Sequence, residues 1–231
     1  MIAIVSALEM ELEPFVNVLE EAQVTYISGL RFLIGKIKGV KVVLSLLGIG
    51  KVNSAYGTGV LVSNFDLNLI LFSGVSAGLK NVKELETVIA LSCVLHDCDA
   101  TAGGYPRGYV FGLNTVNMDC SSEAVTIFKK ALPSAKLGVI ASGDKFIASK
   151  EDADFLEKTF NAIAVDMESA SVAQASEIAK IPFVAIRTAS DSGRGSAFGD
   201  YKKNAPTASK LSAKAVLEAL AELGAHFKKH M

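Results

Sequence analysis

The feature that most constrains this chain is a series of short, unbroken apolar runs separated by helix-length segments. "LNLILFSGV" (67–75), "TVIALSCVL" (87–95), "AIAV" (162–165) and "PFVAIRTAS" (182–190) show almost no polar alternation. A strand with one wet face alternates apolar and polar residues. A strand apolar on both faces must be covered on both, which calls for a sheet between two layers of helices. The segments between the runs supply those helices. "SSEAVTIFKKAL" and "SKEDADFLEKTF" open with serine and acidic residues, the signature of a helix start. Val216, Leu220, Leu223 and Phe227 recur at helical spacing in a last helix starting near "NAPTASK" (204–210). The first 22 residues read as a strand, Ile2–Ser6, followed by an acidic helix reaching Ala22. "RFLIGKIKGVKVVLSLLG" alternates about Lys38-Gly39, a hairpin pattern, and a glycine loop then opens a helix in "GIGKVNSAYGTGVLVSNF". With "AKLGVIASGD" as a further strand, strands and helices alternate throughout. The expected fold is α/β: a single three-layer domain over residues 1–231, with a central mixed β-sheet flanked by helices.

Composition removes several function classes. Half of the 231 residues are apolar, one fifth are charged, and the formal net charge is −1, which suits a packed globule without a basic footprint for nucleic acid. The dense basic cluster Lys228-Lys229-His230 reads as a tail. Three cysteines, Cys93, Cys98 and Cys120, are too few for a disulfide framework and lack paired metal spacing. No run reaches membrane-spanning length, and the N-terminus meets Glu9 and Glu11 too early for a signal peptide. The expectation is a cytoplasmic protein without membrane or nucleic-acid partners.

In sheets of this kind, ligands gather beyond the carboxyl ends of the strands. Those ends run into Glu9 and Glu11, into Val75-Ser76-Ala77-Gly78, into Asp144, into Asp166 and Glu168, and into Asp191. Each acid alone reads equally as a helix cap favoured by the helix dipole, and Asp144 fits that reading best. Several converging on one rim need ligands or hydrogen bonds to offset their repulsion. Carboxylates facing a cleft suit glycosidic cleavage: one protonates the leaving group while another activates water. An oxocarbenium-like transition state would favour a third.

"SALEMELEPF", "LGIGKVNSA", "SGVSAGL", "HDCDATAGGY", "ASGDKFIAS", "AVDMESASVAQ" and "IRTASDSG" occur in that order. Together they resemble the 5′-methylthioadenosine/S-adenosylhomocysteine nucleosidases of the purine nucleoside phosphorylase/uridine phosphorylase superfamily, from residue 1 to about residue 195. The resemblance implies a hydrolase releasing adenine without a metal or organic cofactor, working as a homodimer whose partner closes the pocket. It implies that Glu11 activates water and that Asp191 protonates purine N7. It implies that Glu168 and the Met167 backbone hold the ribose, that Phe146 stacks on the purine and that the Ile147 backbone reads its edge. Arg187 would help hold the water or ribose, Ile49 would line the alkylthio pocket, and Ser76, Ala77 and Ser190 would complete the site. Tyr201 takes the lid position of a family aromatic, and Asp166 takes a structural position. By residue type alone, a plain core role is the lesser alternative for Phe146 and Ile49, and a strand-end ion pair is an equally common role for Arg187.

The chain departs from the family pattern at three places. Val75 stands where a serine is expected, with Ser76 one residue later; Leu8 replaces a methionine; and Gly103 replaces a bulky residue that the neighbouring subunit contributes over the alkylthio group. Three rival readings compete. Gly74–Gly78 fits the nucleophile elbow G-x-S-x-G of serine hydrolases, with His96, His226 or His230 as partner. His96-Asp97-Cys98-Asp99 suggests a metal, although adjacent strand residues face opposite ways. A phosphorylase would use phosphate in place of water, but the region 73–80 offers only Lys80 as a cation.

Overall fold

The computed structural model describes residues 1–228; Lys229 and His230, assigned above to a charged tail, lie outside the described residues. The chain opens with β1 (Ile2–Ser6) and α1 (Glu9–Val16), then the antiparallel strands β2 (Glu20–Ile27), β3 (Leu30–Ile37) and β4 (Val40–Leu46). α2 (Lys51–Asn64), β5 (Leu69–Gly78), β6 (Thr87–Leu95) and the short β7 (Met118–Asp119) follow. The second half alternates α3 (Ser122–Ala131), β8 (Lys136–Ser142), α4 (Lys150–Phe160), β9 (Ala162–Asp166), α5 (Ser169–Ile178), β10 (Phe183–Asp191) and α6 (Ala197–Lys228). The expected α/β fold with a central mixed sheet is what forms: one ten-stranded sheet flanked by helices.

The unbroken apolar runs mark the strands at the middle of the sheet. β1, β5 and β10 are buried along nearly their whole length. β1 pairs in parallel with β4 and β5, while β5 pairs in parallel with β10 and in antiparallel with β9 at Ala77 and Gly78. β10 continues through β6 to β8 and back to β9, so these four strands and β5 close a circuit. That closure gathers the carboxyl ends of β5, β8, β9 and β10 at one place.

Two elements differ from the sequence reading. The first helix ends at Val16, and Glu20–Ile27 forms an edge strand on β3. Its Val-Thr-Tyr-Ile stretch favours strand, and its exposed glutamates discourage pairing with another chain at the open edge. α6 starts at Ala197, seven residues before Asn204, and runs through Pro206. Ala205, Ala208 and Ser209 are buried beneath it, and that packing outweighs the hydrogen bond lost at the proline.

Candidate active site

A cavity of about 250 Å³ lies where these strand ends meet. Every predicted site residue except Arg187 lines it. Glu11 enters from the first turn of α1, where its Oε2 accepts the N–H groups of Ala7 (3.0 Å) and Leu8 (2.9 Å). Its Oε1 accepts the Val75 N–H of β5 at 2.8 Å. A helix N-terminus rich in free N–H groups is what holds a carboxylate at this depth. Burial nevertheless raises the Glu11 proton affinity, against the opposing pull of Arg187 and the three N–H donors.

The two acids after β9 divide their work in a way that residue type could not reveal. Asp166 is the helix cap: its Oδ1 accepts the Glu168 and Ser169 N–H groups at 3.1 Å each and the Ser142 hydroxyl at 2.6 Å. Its Oδ2 accepts Arg187 Nε at 2.8 Å and the Ser169 hydroxyl. The carboxylate is saturated from within, as its structural assignment expects. Glu168 caps nothing in its own helix and reaches across to the Gly50 N–H at 2.9 Å. Burial and then the Asp166 charge push its carboxyl up to about 7. Asp144 behaves as the bland reading expects, capping α2 through the Lys51 N–H at 2.8 Å.

Arg187 is not on the cavity wall. It is fully buried behind it, stacked 3.8 Å over the Phe72 ring, with Nη1 4.0 Å from Glu11 and Nη2 3.6 Å from Glu168. The guanidinium therefore touches the carboxylates that face the cavity. Three acids around one cation leave the cluster negative when all are ionised, the sign that suits a sugar acquiring positive charge. Gly74 makes this packing possible, since a Cβ there would lie 2.2 Å from Arg187 Nη1 and 2.4 Å from Glu11 Oε1. Gly74→Ala is expected to destabilise the fold by about 1–3 kcal/mol, the usual cost of overpacking. Chemical denaturation checks it; an unchanged midpoint and slope would mean that Arg187 and Glu11 can move aside freely.

Asp191 ends β10 on the other side. Its Oδ1 accepts the Gly193 N–H, and its Oδ2 lies 2.9 Å from the Ser190 hydroxyl. Burial raises its proton affinity, and these two bonds lower it only in part. Phe146 follows β8 and meets Phe198 and Tyr201 of α6 edge-on, at 5.8 and 6.0 Å between centroids. Phe146 and Phe198 are exposed, and Lys202 Nζ lies 4.5 Å over the Phe198 ring. Ser76 Oγ is buried on the cavity wall without a hydrogen-bond partner.

A model of the phosphorylase superfamily matches residues 1–221. The 5′-methylthioadenosine/S-adenosylhomocysteine nucleosidase of Staphylococcus carnosus is 33% identical over 96% of this chain and 100% of its own length. The chain belongs to this nucleosidase family, within the phosphorylase superfamily. Membership makes it an N-glycosyl hydrolase. The Neisseria meningitidis nucleosidase in complex with methylthio-immucillin-A superposes with a TM-score of 0.92 at 31% identity, over 96% of this chain and 98% of that one. A futalosine hydrolase from Helicobacter pylori superposes with a TM-score of 0.91 at 29% identity, over 96% and 97%.

For a nucleosidase of this family, the serine-hydrolase reading fails on geometry. Ser76 sits within β5 and not at a strand-to-helix elbow, and no histidine among the described residues reaches its hydroxyl. His230 lies outside the described residues. In the His96-Asp97-Cys98-Asp99 stretch, Asp97 pairs with Lys51 at 2.6 Å and Asp99 with Arg107 at 2.7 Å. Among the described residues, no group of three such side chains is arranged to hold a metal. No helix of the described residues is long and apolar enough to cross a membrane. The sequence reading missed Phe198 and Lys145 of this nucleosidase's cavity. The late start assigned to α6 hid Phe198. Its spacing of three from Tyr201 was the available signal.

Proposed function

We propose that the chain hydrolyses the N-glycosidic bond of 5′-methylthioadenosine, S-adenosylhomocysteine or a close adenosine relative, releasing adenine and a 5-substituted ribose. The observation that carries this reading is that Glu11 and Asp191, 180 residues apart (191 minus 11), face one cavity as buried acids with raised proton affinity. Glu11 takes a proton from water as the water oxygen bonds to C1′. The C1′–N9 electrons pass into the purine, and Asp191 gives its proton to N7, so adenine leaves neutral. Solvent exchange then restores both acids. Glu168 and the Met167 backbone hold the ribose, and the Ser76 hydroxyl, lacking a protein partner, turns to the sugar or water. Phe146 stacks on the purine, the Ile147 backbone reads its edge, and Ile49, beside Leu8, lines the 5′ side. Arg187 acts through Glu11 and Glu168 without meeting the ligand.

The only cation lining the cavity among the described residues is Lys145, and its ammonium pairs with Asp152 at 2.7 Å. A phosphate dianion would find no free donor of that kind and would face Glu11, so water is the better nucleophile. A homodimer is part of the proposal. Ile49, Val52 and Tyr56 at the start of α2 and Tyr105 and Phe111 beyond β6 are exposed apolar groups, and a second copy would cover them.

The test is steady-state kinetics on 5′-methylthioadenosine, S-adenosylhomocysteine, adenosine, inosine and a futalosine-type nucleoside, with and without phosphate. Adenine release is expected to be unchanged, within about twofold, when phosphate is removed. Turnover that stops without phosphate assigns a phosphorylase instead. The futalosine arm is included because the Helicobacter pylori neighbour is a futalosine hydrolase and because Gly103 stands where the family pattern carries a bulky residue over the alkylthio group.

A further inference from the structure

We infer that Arg194 is a positioning residue that holds the Asp191 turn and the aromatic wall in register with the rest of the cavity; the inference rests on Asp191 being the proton donor. Five residues, 192–196, connect β10 to α6. Gly193 sends its N–H to Asp191 Oδ1 at 2.9 Å and adopts φ +65°. A Cβ at Gly193 would lie 3.4–3.5 Å from the Leu79, Ala77 and Ile147 side chains, so the turn rests directly on the cavity floor. The Arg194 carbonyl accepts the Ala197 N–H at 3.0 Å, at the first residue of α6, and Phe198 and Tyr201 follow within that turn.

The Arg194 side chain does not touch the cavity. Its Nη2 reaches α4, 2.6 Å from Glu157 Oε1 and 3.0 Å from Asp154 Oδ1. Glu157 Oε1 also accepts the Lys80 N–H at 2.8 Å, just beyond β5. Phe146 lies four residues before α4 begins. One guanidinium thereby ties together the pieces of chain that carry Ala77, Phe146, Asp191 and Phe198. The connecting turn has glycines on both sides of position 194, each at positive φ, so the Arg194 side chain is its tie to α4. Charge-assisted bonds to two carboxylates are the strong kind, and a donor displaced by about 1 Å loses up to about a hundredfold in rate.

The experiment compares Arg194→Ala, Glu157→Gln and their combination with wild type on 5′-methylthioadenosine, with Lys150→Ala as control. Lys150 pairs with the same Asp154 (3.1 Å) but does not reach the turn, so its loss should leave kcat/KM within about twofold. Arg194→Ala should lower kcat/KM about tenfold and Glu157→Gln by less, because the Asp154 contact remains, and the combination should fall no further than Arg194→Ala alone, in which the Glu157 contact is already lost. In Arg194→Ala the alkaline limb of the kcat/KM profile should move to higher pH, because the Gly193 N–H no longer favours the Asp191 carboxylate. A rate within twofold of wild type in Arg194→Ala, losses that multiply in the combination, or an unmoved alkaline limb overturns the inference. Asp191→Asn, assayed alongside, separates the two claims. If it keeps the wild-type rate, the proton-donor reading fails; if it collapses while Arg194→Ala does not, only the positioning role fails.

Discussion

Asp191→Asn is expected to lower kcat by about 10²–10⁴-fold, the range that positioned acid–base groups supply, while leaving the fold intact. The geometry explains why the two effects separate. An asparagine oxygen can still accept the Gly193 N–H, and its amide can donate to the Ser190 hydroxyl, which is free to turn toward the Ser76 carbonyl 3.2 Å away. Nothing is left unpaired, so only the transferable proton is lost. The pH dependence carries a second signature. A donor must be protonated, and burial raises the affinity of Asp191 for its proton. The wild-type rate should therefore fall as pH rises through that elevated value, and the alkaline limb should vanish in the variant. Thermal melts and kcat/KM against pH measure both. A variant that keeps the wild-type alkaline limb places the donor elsewhere.

Glu11→Gln should also cost about 10²–10⁴-fold in kcat, but with a loss of stability that Asp191→Asn lacks. Both carboxylate oxygens of Glu11 face donors: Ala7 and Leu8 N–H on one side, Val75 N–H and the Arg187 guanidinium on the other. An amide must turn its NH₂ toward one of them, whichever way it is placed. A buried donor deprived of its acceptor costs about 1–3 kcal/mol. The rate should fall on the acid side of the wild-type profile as Glu11, whose proton affinity burial raises, takes up its proton. Denaturation midpoints and single-turnover rates test the pair of effects together. A stable variant with the wild-type rate would remove Glu11 from the mechanism.

Most of the secondary structure was legible because burial on both faces leaves a mark on the sequence. The runs that became β5, β9 and β10 carry apolar residues at successive positions, and helix starts such as Ser149 announce themselves through capping chemistry. Weak marks gave weak readings. Glu20–Ile27 lies exposed at an edge, so nothing forced a buried pattern on it. The first turns of α6 are held by packing beneath them, a force with no local signature.

Residue order alone determined that acids stand at the carboxyl ends of buried strands, since that follows from strand length and the abrupt change from apolar to polar. Tertiary structure alone decided what each acid does. Asp166 and Glu168 are two residues apart and chemically alike, yet one is saturated by five donors around it and the other faces the cavity with its proton affinity raised to about 7. Arg187 reads in the sequence as a strand-end cation, and only the closing of β10 against β5 buries it behind the wall, between Glu11 and Glu168. The charge state of a carboxyl depends on the donors and water within a few ångströms of it, and the folded chain supplies those from positions far apart in the sequence.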